Sequence, residues 1–417
     1  MVRLTISKVS GRGRYGGVDS CRPLAPETNR SAVRSKSLLV KFEKIVAKHR
    51  TSKDSKPAAA KQMSPAEAQS QIERVDRELV ELLNRHAALA ANLPNVPNAE
   101  GQPALSFARE DDRIGHTVAQ NKGPLSDDCV RGIFRELTSG TRGLRRLLRV
   151  AFLGPDYTYS HLATLHRFGQ SVALVPVGSI SAVFEEVDRK HADFGLVPIE
   201  NSTDGRIADT LDMFNRLRVR ICGEVQLRIH HCLLARCPRA EVKEVYSRTQ
   251  PLSQCRNWLA RHLPAARTIE VASTTTAAQL AVDKPDAAAI ASLQAGIHYG
   301  LDVLAENIED NVGNTTRFAV IGHESAPRSG RDKTAAMFEI EHRPGSLADV
   351  VAIFKRNRLN LTWIESFPSS RPAEYLFFIE FDGHESDLRV RRALATLAKK
   401  TQRMEVLGSF PRSEPVG

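Results

Sequence analysis

The sequence has few of the residues that mark several common classes of protein. It holds two tryptophans and six tyrosines in 417 residues. No stretch interleaves aromatics with basic side chains, so a single-stranded nucleic-acid surface built on base stacking is not expected. No apolar run approaches the roughly 20 residues that a membrane-spanning helix needs. The six cysteines, at 21, 129, 222, 232, 237 and 255, form no CxxC pair and no zinc-ligand spacing. They read as reduced thiols of a cytoplasmic protein. The one glycine-rich stretch, SGRGRYGG near the start, follows no strand. Neither a metal nor a phosphate-bearing cofactor is therefore expected, and the cofactor expectation is none.

What is present is an uneven charge. The net +11 suggests nucleic acid until it is placed along the chain. Residues 1–62 hold 15 Lys+Arg and 4 Asp+Glu, while the other 355 residues hold 44 of each. The body is neutral, and neither a nucleic acid nor a membrane is expected as partner. The opening MVRLTISKVSGRGRYGG is basic and acid-poor, as organelle transit peptides are, but lacks the apolar core of a secretory signal. Met63, in QMSPAEAQ, reads as the start of the folded protein, with Ser64-Pro65 opening a helix. Residues 1–62 are expected to be a disordered basic tail.

Residues 66–93 predict one amphipathic helix, with Ile72, Val75, Leu79, Leu82, His86, Leu89 and Leu93 on one face. Pro94 and Pro97 stop it. Two further helices are predicted over 106–120 and 126–148, which gives an all-α unit over 63–149. The pattern then changes to repeated strand–turn–helix units, from LRVAFLGPDYTYSHLA through ADFGLVPIENSTDGRIADTL to DAAAIASLQAGIHYG. Alternation of this kind predicts a mostly parallel α/β region over 150–325, in two lobes around a cleft. After the linker SAPRSGRD, residues 333–410 read βαββαβ, a ferredoxin-like α+β unit.

Ligands of doubly wound sheets sit at the carboxyl ends of strands. Those ends carry Thr158 and Ser160, then Asn201, Ser202 and Thr203, then Ser247 and Gln250, then Ser273 to Thr276. Each cluster precedes a helix, whose free N–H groups and partial positive charge favour a small anion. Any one cluster alone is better read as an N-cap. Several in series suggest a cleft for a small anion such as a dicarboxylate. NVGNTTRFAVIG, at 311–322, adds Thr316 as a donor to a developing anion, Arg317 as a carboxylate clamp and Phe318 as a wall against a ring. Such a set suits a reaction needing orientation and leaving-group assistance but little base, for example decarboxylation coupled to loss of hydroxide. A binding module without turnover is the alternative.

AFLGPDYTYSHLA, VPIENSTDGRI, HHCLLA, VYSRTQPLSQC, STTTAA and NTTRFAVIG stand in one order across 149–322. Together they resemble prephenate dehydratase. The resemblance implies a periplasmic-binding-protein-like pair of α/β lobes. It also implies cofactor-free conversion of prephenate to phenylpyruvate, water and CO₂ in phenylalanine biosynthesis. It makes Thr316 catalytic, with Arg317 beside it. It places substrate at Asn201, Ser202, Ser247 and Gln250, with Ser160 and His231 more distant matches. Arogenate in place of prephenate stays open.

The C-terminal unit resembles the ACT regulatory domain. RPGSLADVVAIF and LTWIESFPS carry the likeness. It implies a phenylalanine effector at Gly345, Ser346, Leu347, Glu365 and Ser366, although Phe367 stands where the motif has arginine. The N-terminal unit resembles an all-helical chorismate mutase through IERVDRELVELLNRHAALA and GPLSDDCVRGIFREL. Aligned on it, Gln69, His86 and Pro97 fall on three cationic positions of that family. Arg109 and Glu110 match a second-helix pair, and Thr141 and Arg145 fall on third-helix positions. The domain is expected to be impaired as a mutase; a working one is the alternative. Both flanking units are types that pair, so a homodimer or homotetramer is expected.

Overall fold

The computed structural model describes residues 63–92, 107–144, 146–368 and 375–416. The first helix, α1 (Pro65–Ala91), opens with a capping box. Ser64 Oγ accepts from the Glu67 amide at 3.3 Å, and the Ser64 amide donates to Glu67 Oε2 at 2.9 Å. No α1 residue is buried, and Val75, Leu79 and Leu82 are all at least half exposed. Two shorter helices follow, α2 (Phe107–Val118) and α3 (Asp127–Gly143), the latter capped by Ser126. The expected third helix thus ends five residues early. Leu93, Pro94, Pro97 and Arg145 lie outside the described residues.

α2 is not part of a separate helical core. Phe107 packs edge-on against Phe168 and Phe194, each with ring centroids 5.4 Å apart, inside the core of the α/β region. Burying one such ring contributes about 2–3 kcal/mol. The expected boundary at 149/150 is a chain boundary but not a packing boundary.

The α/β region runs β1 (Arg149–Leu153), α4 (Tyr159–Phe168), β2 (Ala173–Val177), α5 (Ile180–Asp188), β3 (Phe194–Asn201), β4 (Gly205–Arg206), α6 (Ala208–Arg216) and β5 (Arg220–Arg228). The chain then crosses into a second lobe. This comprises β6 (Cys232–Ala235), β7 (Glu244–Ser247), α7 (Thr249–Gln254), α8 (Arg256–His262), β8 (Arg267–Glu270), α9 (Thr274–Asp283), β9 (Ala287–Ala291), α10 (Leu293–Tyr299) and β10 (Asp302–Ala305). β11 (Thr315–Gly322) returns to the first lobe.

The sheets are mixed, which corrects the expectation of mostly parallel ones. β1, β2 and β3 pair in parallel, but the returning β11 lies between β3 and β5 and is antiparallel to both. In the second lobe β7, β8 and β9 are parallel, while β6 and β10 run against their neighbours. A chain that crosses between lobes and comes back must place its returning strand against the outgoing ones. Among the described residues, no helix is long and apolar enough to cross a membrane.

The C-terminal unit has β12 (Asp332–Ile340), α11 (Ser346–Arg356), β13 (Leu361–Pro368), β14 (Tyr375–Asp382), α12 (Leu388–Ala398) and β15 (Arg403–Pro411). Its sheet order is β13-β14-β12-β15, with all pairs antiparallel, as the βαββαβ reading requires. One face carries its helices. The other joins the first lobe: Ala335, Met337, Leu376, Phe378 and Phe410 share a core with Val197, Ile199 and Ile321. Gly408, at φ +146°, brings β15 onto β5, where a Cβ would lie 2.2 Å from the Ile221 carbonyl oxygen. Beyond residue 410, β16 (Pro415–Val416) adds itself in parallel to β5. No local pattern around Pro415–Val416 signals that last strand.

Candidate active site

The polar cluster gathers where β3 and β11 end. Thr316 stands opposite Asn201 in the strand pairing. Asn201 Nδ2 donates to Thr316 Oγ1 at 2.8 Å and to Asn314 Oδ1 at 2.9 Å. Asn201 Oδ1 accepts from the amides of Thr203 at 3.0 Å and Asp204 at 3.2 Å. Four bonds therefore fix which end of the Asn201 amide faces Thr316. The Thr316 oxygen is held as an acceptor, and among the described residues nothing accepts its proton. Thr316 is 9% exposed, so its hydroxyl is largely shielded from bulk water.

Gln254 continues the cluster into the second lobe. Its Nε2 donates to Asp204 Oδ2 at 3.0 Å, so its Oε1 faces the other way, accepting from Asn314 Nδ2 at 3.0 Å. The same oxygen lies 2.9 Å from His231 Nε2. The other ring nitrogen of His231 meets the Tyr159 hydroxyl at 2.8 Å. Burial pushes His231 below its ordinary pKa, more than Gln254 and Glu309 raise it. Burial favours the neutral imidazole; the Gln254 oxygen, fixed as an acceptor, faces Nε2, while the single Tyr159 hydroxyl proton is shared between Nδ1 and the His230 carbonyl, each 2.8 Å away. A run of side chains thus joins Tyr159, His231, Gln254, Asn314, Asn201 and Thr316 across the hinge.

Sequence reasoning missed Gln254 and Asn314. The signal was present: Gln250 and Gln254 are four apart on α7, so they share a face. Gln250 also reaches Asp204, but from an exposed position. Ser202 is exposed, and its Oγ accepts from the Thr315 amide at 2.9 Å. Thr203 donates to Asn314 Oδ1 at 3.3 Å. Ser160 is buried in the first turn of α4, with no partner for its hydroxyl among the described residues.

Three expected roles are corrected. Ser247 is fully buried and donates to the Ile290 carbonyl at 2.7 Å, so it ties β7 to β9 and offers nothing to a ligand. Phe318 is 2% exposed inside the first lobe's core, among Phe152, Leu196 and Val225, and does not line the cleft. Arg317 is not a substrate clamp. Neighbours on a strand point to opposite faces, and its guanidinium meets Glu200, Glu224 and Glu380 at 2.7, 3.1 and 2.7 Å. Thr158 and Ser273 are the N-caps of α4 and α9.

The mutase-like residues have other partners. Glu110 lies 3.6 Å from Arg142, whose Nη2 donates to the Phe168 carbonyl at 2.6 Å. Burial pushes the Glu110 carboxyl up against the pull of Arg142 and Arg167. The Thr141 hydroxyl donates to its own helix, at the carbonyls of Leu137 and Thr138. Arg109 is exposed on α2. His86 Nδ1 is buried without a partner, and Gln69 is exposed.

Two lobes joined by a run of amides, with the Thr316 proton uncommitted at its end, define a cleft enzyme of the α/β class. Comparison with known proteins gives the particular family. The prephenate dehydratase family matches residues 150–326, and chorismate mutase type II matches residues 68–146. The bifunctional chorismate mutase/prephenate dehydratase of Aquifex aeolicus is 38% identical over 353 residues, covering 83% of this chain and 98% of that protein. Its namesake from Pseudomonas aeruginosa is 37% identical, with 82% and 96% covered. Among solved structures, the prephenate dehydratase from Arthrobacter aurescens in complex with L-Phe has TM-score 0.60 at 32% identity, covering 64% of this chain and 90% of that one. The chain belongs to the bifunctional chorismate mutase/prephenate dehydratase family: it is a carbon–oxygen lyase acting on prephenate, with a chorismate mutase-type domain in front.

Proposed function

We propose that prephenate is bound with its ring hydroxyl against Thr316 and that Thr316 is the catalytic donor. One observation carries this reading. Asn201 Nδ2 holds the Thr316 oxygen from one side, leaving its proton free to donate. The chemistry needs little else. The ring C–CO₂ bond breaks, its electron pair moves through the ring to aromatise it, and the C–OH bond breaks with its pair. The departing oxygen takes one proton and leaves as water; Thr316 delivers that proton and solvent replaces it. A donor aimed at charge that develops only in the transition state acts on kcat. Ser160, Ser202, Thr203 and Gln250 supply the remaining polar contacts to the substrate, and His231 orients Gln254.

The C-terminal unit is read as an ACT domain that takes L-phenylalanine as an effector at Gly345, Ser346, Leu347, Glu365 and Ser366. Gly345, at φ +87°, turns the chain into α11, and the Ser346 hydroxyl behind it is buried without a partner. The L-Phe complex of the Arthrobacter relative supports the same reading. The exposed apolar residues of α1 support a homodimer or homotetramer.

Thr316→Ala tests the core of this proposal. Its kcat on prephenate is expected to fall by about 10²–10⁴-fold, with prephenate affinity by calorimetry within about threefold of the parent. Parent-like kcat overturns the assignment.

A further inference from the structure

The corrected position of Arg317 raises the question of what a cluster of five charges, three of them buried, does one residue away from the reacting hydroxyl. Arg317 Nη1 bonds Glu200 Oε2 at 2.7 Å, and its Nη2 takes both oxygens of Glu380, at 2.9 and 2.7 Å. Lys333 Nζ lies 3.1 Å from Glu224 and 3.7 Å from Glu380. The side chains of Glu380, Glu224 and Lys333 are 1, 3 and 8% exposed. Glu200 and Glu224 belong to the first lobe, on β3 and β5; Lys333 and Glu380 belong to the C-terminal sheet, on β12 and β14.

We propose that Glu380 and Lys333 are positioning residues for the dehydratase reaction, holding Arg317 so that the adjacent Thr316 keeps its angle to Asn201. Arg317 follows Thr316, and Glu200 precedes Asn201, so the bonded pair sits directly behind the Asn201–Thr316 contact. The pairing of β11 with β3 shifts register between Arg317 and Phe318. A bulge loosens the ladder on the β3 side, while pairing with β5 runs unbroken from Thr315 to Val320, so the side-chain tethers add to the β5 edge in setting how the end of β11 faces β3. A buried charge that loses its partner is strongly destabilising. Few other arrangements of this cluster are therefore open to the chain, and the end of β11 is sharply specified. Trp363 of β13 closes the cluster, with its ring 5.4 Å from the guanidinium. Neither Glu380 nor Lys333 bonds to the polar run around Thr316; Glu380 acts through Arg317, and Lys333 acts one step further back, through Glu224 and Glu380, which Arg317 shares.

The inference rests on Thr316 being the catalytic donor, and the experiment separates the two. Thr316→Ala, Glu380→Gln and Lys333→Met are made in the full chain and assayed on prephenate at a temperature where each melts cooperatively well above the assay. Misplacing a reacting group by an ångström or less costs about 10–100-fold. Glu380→Gln is expected to lose that much kcat with KM within about threefold. Lys333→Met is expected to shift in the same direction by less. It also decides the matter if Glu380→Gln does not fold. Lowered melting with parent-like kcat in the folded variants, or a raised KM with kcat unchanged, overturns the inference while Thr316→Ala remains inactive. Parent-like kcat in Thr316→Ala overturns the site reading and this inference together.

Discussion

Gln250 and Gln254 show how far single residues were legible. Both lie on one face of a six-residue helix, and both reach Asp204. Composition cannot say which is buried, because that depends on how α7 lies against the hinge. The structure buries Gln254 and leaves Gln250 in solvent. Gln254→Ala is expected to lower kcat about 100-fold, because it removes the acceptor that aligns Asn314 and His231. Gln250→Ala, which removes a contact to bound substrate, is expected to raise KM with kcat within about threefold; parallel prephenate assays check both. Arg317 and Phe318 were misread for a related reason. The motif was visible, but the face each side chain takes is set by pairing on both sides of β11. Glu224 carries a pH consequence of the same pairing. Burial pushes its carboxyl up, but Lys333 and Arg317 together pull it below the ordinary value. A carboxyl with a lowered folded pKa stabilises above its unfolded pKa and loses that contribution as pH falls through the folded one. Glu380 runs the other way, since burial leaves its carboxyl raised, so its contribution is lost as pH rises. The difference in melting temperature between the parent and Glu224→Gln carries the Glu224 contribution together with its coupling to Glu380. It is expected to narrow from pH 6 towards pH 3.

Elements were legible in kind but not in direction. Strand–turn–helix alternation located the α/β units because apolar runs, caps and helical periodicity are local. Nothing local says that β11 returns antiparallel between β3 and β5, since a strand buried on both faces reads alike in either direction. The C-terminal βαββαβ order was legible for the same local reasons, whereas the tail strand β16 is a tertiary fact with two residues of pairing. Gly408 marks where two elements meet too closely for any other residue. Gly408→Ala forces β15 off β5 and adds a side chain at a φ that L-residues avoid. A loss of about 2–4 kcal/mol is expected, read as a lower denaturant midpoint. An unchanged midpoint means that β15 and β5 part without cost.

At the scale of the molecule, the open matter is whether the front domain still makes prephenate. The relatives that span most of this chain are named as bifunctional, and the mutase-type match covers residues 68–146. Mutase chemistry of this kind rests on cations around a dicarboxylate. Here Glu110 is committed to Arg142, Arg142 reaches the Phe168 carbonyl, and α2 is fixed to the dehydratase core by Phe107. Those contacts use the helices as a docking surface. Gln69 and His86 stand where the resemblance requires cations. Purified protein given chorismate alone is therefore expected to yield no phenylpyruvate, while prephenate in a parallel reaction is turned over. If chorismate is consumed, cations at other positions, such as Arg109, replace the missing ones. In that case Arg109→Ala would abolish chorismate turnover and leave prephenate turnover intact, because α2 stays anchored through Phe107 on its opposite, buried side.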